Sequence, residues 1–217
     1  MAIQEEKALV EKHKLATRWH HWINFPILTT MIVSGLFIYW AWDPYLFPNW
    51  IYDLTRVGRK LALGMAIHFV FAWLFTLNGI AYVAYTVVSG EWRELLPDAK
   101  CFSQAIQVVK HDLGLGPLPP QGRYNAAQRI TYTLIILMGA ASVLTGLAIY
   151  KPIQLAWLTT LLGGYQWARW EHFWLTMGYV GFFAIHIGQV IRAGWPNFRA
   201  MLCGYDLAAK KKEQHVA

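Results

Sequence analysis

Four histidines lie in or at the edge of the chain's apolar stretches, His21, His68, His172 and His186, and the last two stand 14 residues apart in a single stretch. A helix turns about 100° and rises about 1.5 Å per residue, so that spacing brings both rings back to within roughly 40° of one face, about 21 Å apart. They cannot share one ion. Ionisable side chains in hydrocarbon are costly enough to mark functional positions, and histidine is a usual axial ligand of haem iron. Two ligands at two depths of one helix therefore point to two stacked haem centres. Two imidazoles per iron leave no open position, which suits electron transfer rather than chemistry at the metal.

The elements that would hold them are legible in the composition. Of 217 residues, 56% are hydrophobic and only 14% charged, with 12 Trp and a mean hydropathy of +0.31, which excludes an ordinary water-soluble domain. Crossing about 30 Å of hydrocarbon takes roughly 20 apolar residues, and four stretches suffice. They are residues 19–41, 61–89, 128–150 and 172–191. The expectation is an all-α membrane protein, a four-transmembrane-helix bundle forming a single domain over 1–217 and holding two b-type haems. Residues Ile153 to Leu162 are too few to span and read as an interfacial or partner-facing segment. In the long connection from Glu91 to Tyr124, Phe102 to Val109 predicts a short surface helix, and Gly114, Gly116, Pro117, Pro119 and Pro120 a stiff turn after it. Trp19, Trp22, Trp40, Trp42, Trp92, Trp170, Trp174 and Trp195 fall near span ends, as an interfacial aromatic belt requires.

Fourteen of the 19 Lys and Arg fall on the two terminal flanks and the second connection, which places both termini in the cytoplasm. Topology thus accounts for the net charge of +7, and no soluble basic face remains for nucleic acid. The first 18 residues lack the apolar core of a cleavable signal, so the first span is expected to direct its own insertion into the bacterial cytoplasmic (inner) membrane, as a multi-pass protein. Cys101 and Cys203 both fall on the reducing side and read as unpaired bystanders.

An internal repeat is visible. Ser34-Gly35-Leu36-Phe37-Ile38-Tyr39 echoes Thr145-Gly146-Leu147-Ala148-Ile149-Tyr150, and Arg18 precedes Ser34 by the same 16 residues that separate Arg129 from Thr145. His68 lies 22 residues before Gly90, and His172 lies 22 before Gly194. This register predicts two related helical hairpins, a parallel repeat. In it His68 matches His172, whereas His21 falls opposite Tyr132 and His186 opposite Tyr82. With alternating spans, His21 shares a depth with His186 and His68 with His172, so the chain supplies two pairs. His20 competes with His21, its ring pointing about 100° away; His13, His111 and His215 lie in hydrophilic flanks.

Gly64, Gly178, Gly181 and Gly188, with Gly35 and Gly146, either leave room for a porphyrin or simply let helices pack tightly. Propionates want cations: Arg18, Arg129 or Arg192 at the cytoplasmic haem, and Arg59, Lys60 or Arg169 at the other, although each also fits as a flank or snorkelling anchor. A zinc site is discarded because no HExxH or cysteine pair stands nearby. A proton-relaying transporter would need buried carboxylates, and the spans hold none, with only Glu171 at an edge.

Arg18-Trp19-His20-His21-Trp22, the lone His68 opening the second span, the His172/His186 spacing and Arg123-Tyr124-Asn125-Ala126-Ala127-Gln128-Arg129 together resemble the cytochrome b (gamma) membrane subunit of respiratory formate dehydrogenases. More distantly, the chain is similar to the b-type cytochromes of nickel-iron hydrogenases and thiosulfate reductases. That resemblance covers nearly the whole chain. Its Arg-x-x-His-Trp motif makes the histidine before Trp the ligand, selecting His21 over His20. It implies an electron-transfer subunit: a periplasmic iron-sulfur subunit and catalytic oxidoreductase subunit as partners, membrane lipid around the bundle, and electrons passing between them and the quinone pool, menaquinone or ubiquinone. Quinone reduction would take place near the cytoplasmic side. Carried over residue by residue, the quinone site falls at Asn125, Ala127 and Gln128, with Ala127 standing where that family has Gly. An Asn and a Gln before a span also suit a helix cap.

The alternative is a free-standing dihaem cytochrome exchanging electrons between quinone and a small acceptor such as superoxide. Electrons could equally run outward, from quinol to a periplasmic reductase. Partner identity decides between them.

Overall fold

In the computed structural model, which describes residues 7–41, 50, 61–120 and 123–209, four long helices run up and down. They are α1 (Leu15–Tyr39), α2 (Leu61–Ser89), α5 (Ala126–Tyr150) and α7 (Tyr165–Cys203). All four are long and apolar enough to cross a membrane. Hydrocarbon offers no partner to backbone N–H and C=O groups, so an apolar run there satisfies them along its own axis as helix. Among the described residues three short helices lie in the later connections: α3 (Trp92–Leu95), α4 (Cys101–Asp112) and α6 (Ala156–Leu161). Trp42, Arg56, Arg59, Lys60, Lys210, Lys211, Lys212 and His215, which figure in the charge, cation and histidine arguments, lie outside the described residues.

α1 packs along α2 and α5 along α7, and the two hairpins touch each other far less than the helices within each do. Gly64 shows why the first contact is close. A Cβ there would lie 2.8 Å from the Phe37 Cβ and 3.2 Å from the Ser34 carbonyl. Gly178 faces Met138 in the same way, at 2.7 Å from its Cε. At these two positions the glycines serve helix packing, while Gly181 and Gly188 face open space.

Two boundaries differ from the expectation. The helix of the fourth span begins at Tyr165, seven residues before the apolar run, because a helix can continue beyond hydrocarbon without apolar residues, and this stretch carries Arg169 and Glu171. It also continues past residue 191 to Cys203, across a break at Gly194 (φ 77°, ψ 177°) followed by Pro196. Gly90, its counterpart in the repeat, has φ 77° as well. Each hairpin therefore ends on a glycine of positive φ, and a short helical stretch follows both.

One element had no sequence signal. β1 (Lys7–Glu11) pairs antiparallel with β2 (Tyr205–Ala209), Val10 opposite Asp206, so the two ends of the described chain meet on one face, hereafter the terminal face. Gly204, at φ 95°, terminates α7 and its carbonyl accepts from the Lys12 and His13 N–H groups at 2.8 and 3.2 Å. Lys12 Nζ reaches Asp206 Oδ2 at 2.8 Å and Asn197 Oδ1 at 2.9 Å.

On the opposite, far face, α6 tucks Leu158 and Thr159 beneath the end of α5, and Leu158 forms a small core with Ala148 and Ala168. Its other side turns outward: Ile153, Trp157 and Leu161, at intervals of four, are 85%, 66% and 74% exposed. The segment thus packs within its own loop and still presents an apolar face.

Candidate metal centres

α7 starts on the far face and returns to the terminal face, so His172 is near one end of the bundle and His186 near the other. Each meets a partner from the first hairpin. The His68 and His172 rings have centroids 6.2 Å apart, and those of His21 and His186 are 6.1 Å apart. A ring nitrogen lies about 1.1 Å from its centroid and a metal–imidazole bond is about 2.0–2.1 Å, so two imidazoles trans on one ion have centroids roughly 6.3 Å apart. Both gaps fit. Among the described residues no three metal-ligating side chains converge.

The far pair is braced. His68 Nδ1 lies 3.0 Å from Ser34 Oγ, and His172 Nδ1 lies 2.9 Å from Thr145 Oγ1. With Nδ1 engaged, Nε2 is the nitrogen each ring has left for a metal ion. The glycine following each hydroxyl residue faces the same ring: a Cβ on Gly35 would sit 3.3 Å from His68 Cε1, and one on Gly146 3.4 Å from His172 Cε1. At these two positions a bare backbone leaves room beside the ring, as a flat macrocycle bound there would require.

The near pair is held by rings instead. Phe182 stacks on His186 at 5.6 Å and 19°, and Trp22 meets His21 edge-on at 5.1 Å. His21 Nδ1 is buried and has no hydrogen-bond partner among the described residues. His20 turns away, its Nδ1 2.9 Å from Asn78 Oδ1 and its ring edge-on to Tyr82.

Around the terminal face the cations are engaged. Arg18 Nη1 donates to the Leu202 carbonyl at 2.5 Å, Arg129 binds Asp98 at 3.0 Å and the Leu96 carbonyl, and Arg192 pairs with Asp112 at 2.5 Å. Arg129 and the Lys100 N–H hold the Asp98 carboxyl below its ordinary value. Each guanidinium has five donors, so these contacts leave others over for a propionate. On the far face Arg169 lies beside Gln166 and over Tyr165. Asn125 and Gln128 cap α5 reciprocally, Asn125 Oδ1 accepting from Gln128 N at 2.8 Å and Gln128 Oε1 from Asn125 N at 2.9 Å. The cap occupies both side-chain oxygens and leaves both amide NH₂ groups as donors; Ala127 is half-buried between them.

Three features escaped the sequence reading. The Ser34 and Thr145 hydroxyls stood in the repeat but not as partners of histidine. Tyr179, seven residues from each of His172 and His186 and only 4% exposed, lies on the same face of α7 between them; the heptad spacing was the available signal. Glu91, 7% exposed at the end of α2, gathers Lys14 (3.1 Å), Tyr85 (3.1 Å), Thr17 (3.3 Å) and Arg123 (3.9 Å). Its partners come from three separate segments, which no local pattern reveals.

Comparison with known proteins decides what kind of centre this is. The family profile of prokaryotic cytochrome b561 matches residues 12–204. The chain belongs to that family. It is accordingly a multi-pass membrane cytochrome of the b561 type, which implies b-type haem and electron transfer. It is also 30% identical over 187 residues to YedZ1 of Azospira oryzae, named provisionally as a protein-methionine-sulfoxide reductase subunit; the match covers 85% of this chain and 92% of that one. The histidine pairs fit the group that a b561 cytochrome carries, by their spacing, the accessible ring nitrogens and the glycine cradles.

Proposed function

We propose that this b561-type chain is the dihaem membrane subunit of a reductase complex, carrying electrons from membrane quinol to a catalytic partner docked on the far face. The observation that carries the reading is the pair of histidine couples at two depths of one bundle, both completed by α7. His21 and His186 would hold one haem and His68 and His172 the other. Bound haem supplies one-electron redox chemistry, and two imidazoles per iron close the metal to ligands. The direction of flow follows the relative's name, which describes the subunit of a reductase.

The described residues supply the rest. Lys12, Lys14, Arg18, Lys100, Lys110, Arg123, Arg129, Arg192 and Arg199 flank the spans on the terminal face, against Lys151 and Arg169 on the far one, which supports a cytoplasmic terminal face. Asn125 and Gln128, with Ala127 between them, offer amide donors there to a quinone carbonyl while still capping α5. Arg18 and Arg129 stand at the same face as candidate propionate partners. The exposed Ile153, Trp157 and Leu161 face, free of charge, lies where the partner would dock.

A second reading keeps the wire and reverses it: a formate-dehydrogenase-type partner delivering electrons for quinone reduction, favoured by Arg18 to Trp22 and by Tyr124-Asn125 with Gln128. Purification in mild detergent tests both. The expected result is two b-type haems per chain by spectrum and haem quantitation, reduced by a quinol analogue. A colourless preparation, or one haem per chain, refutes the dihaem reading, and an iron-sulfur protein eluting with the chain selects the second direction.

A further inference from the structure

We propose that Ser34 and Thr145 are positioning residues that give the far haem the lower midpoint potential of the two, which makes it the stronger reductant toward a docked partner and the near-to-far electron step an uphill one. The inference rests on the dihaem reading above. Each hydroxyl has one proton, and in both residues it is directed at the helix backbone. Ser34 Oγ donates to the Thr30 carbonyl at 2.7 Å, with Met31 at 3.1 Å, and Thr145 Oγ1 donates to the Ala141 carbonyl at 2.8 Å, with Ser142 at 3.2 Å. Toward the histidines the oxygens can therefore only accept. Nδ1 of His68 and of His172 must carry the proton, which fixes the tautomer with Nε2 as the metal-binding nitrogen.

A hydrogen bond accepted from the distal N–H of a ligating imidazole raises its basicity, and a more basic ligand favours ferric over ferrous iron. Both far ligands have this acceptor. In the near pair, His21 Nδ1 is buried without one, among aromatic rings. The two centres thus differ in the lever that second-shell hydrogen bonding provides.

Serine and threonine often bond back to their own helix with no further role, as Thr29, Thr76, Thr86, Thr131 and Thr176 do here. Ser34 and Thr145 are set apart by the second partner of the oxygen. They occupy equivalent places in the repeat, are 1% and 2% exposed, and each is followed by a glycine against the same ring. One is Ser and the other Thr. The two halves share the oxygen, not the shape.

The test is a potentiometric titration of the full chain, followed by visible and EPR spectra, with the far haem assigned as the one missing from His68→Ala. In wild type the far haem should have the lower midpoint. Ser34→Ala and the near-isosteric Thr145→Val should each shift the ferric-to-ferrous preference of that haem on the order of tenfold toward ferrous, about 59 mV upward for one electron, leaving the near haem unmoved. Ser34→Thr and Thr145→Ser should restore the midpoint. Should Thr145→Val release the far haem while Thr145→Ser retains it, the hydroxyl is still the positioning group; release from both would overturn the proposal. So would an unmoved far midpoint, a shift of the near haem instead, or a far haem of higher midpoint in wild type. Wild type with a single haem would sink the dihaem reading and this inference together, whereas two haems with unmoved midpoints would sink the inference alone.

Discussion

The far and near histidine pairs have almost the same ring separation, 6.2 and 6.1 Å, and almost nothing else in common. The far pair joins equivalent residues of the two repeats, and everything around it is duplicated: hydroxyl, glycine and ring. The near pair breaks the repeat, since the counterparts of His21 and His186 are Tyr132 and Tyr82. Among the described residues it has no hydroxyl brace, and its rings pack against Phe182 and Trp22. One centre is a product of symmetry and the other an addition to it, so they should respond to substitution independently.

The largest test of that independence is loss of a ligand. His68→Ala or His172→Ala should lower the haem content from two to one per chain and leave the near haem's spectrum intact, and His21→Ala should do the converse. Loss of both haems, or of neither, from any one variant would refute the pairing. Next in size is the cradle. Gly35→Leu and Gly146→Leu put a side chain where even a Cβ stands 3.3–3.4 Å from the ligand ring, and should at least halve occupancy of the far haem alone. Gly181→Ala, with nothing within 4 Å, should leave both haems at wild-type content. Equal haem loss in all three glycine variants would mean that the cradle is ordinary helix packing.

How far these features could be read from sequence depends on their range. The second span's C-terminal limit at Ser89 was readable, because it is set by hydropathy and the glycine that follows. The fourth was not, because α7 extends beyond hydrocarbon at both ends, where hydropathy no longer reports on helix. The repeat register located Gly90 and Gly194, which share a φ of 77°, since a positive φ admits few residues. The β1–β2 ribbon joins segments nearly 200 residues apart with no alternation strong enough to announce it. The Ser34–His68 and Thr145–His172 bonds span only 34 and 27 residues, yet both join separate helices: both partners were visible, but their contact depends on how α1 meets α2 and α5 meets α7.

The terminal face adds a second contrast, for it is ionic where the far face is apolar. Glu91 accepts hydrogen bonds from Tyr85 and Thr17 and pairs with Lys14, whose ammonium it holds protonated above the ordinary lysine value. Bonds to a charged group contribute about 1.5–3 kcal/mol, and the half-exposed Lys14 adds little. Glu91→Ala should therefore cost about 2 kcal/mol in thermal or denaturant unfolding, and Glu91→Gln, which keeps an acceptor, about half as much, with both haem spectra unchanged. A Glu91→Ala protein as stable as wild type would show that α1, α2 and the 123–124 segment do not depend on this carboxylate.

The smallest effect concerns His13, which sits against the clasp formed by β1 and β2. Burial pushes its imidazole below the ordinary value, and Lys12, Arg123 and Arg18 act in the same direction against the weaker opposing pull of Asp206. A histidine with a depressed folded-state pKa binds fewer protons folded than unfolded in the window below about 6.5. Its contribution is complete above that pH and is lost as the pH falls toward the folded value. Amide exchange in Val10, Glu11 and Tyr205 should therefore quicken between pH 7 and 5 beyond the intrinsic pH effect, while the α5 amides around Thr145 stay protected. His13→Gln should flatten that change without altering either haem. Lys12 and Asp206 also face this corner, and a pH response persisting in His13→Gln would assign the loosening to another group and remove His13 from the account of the terminal face.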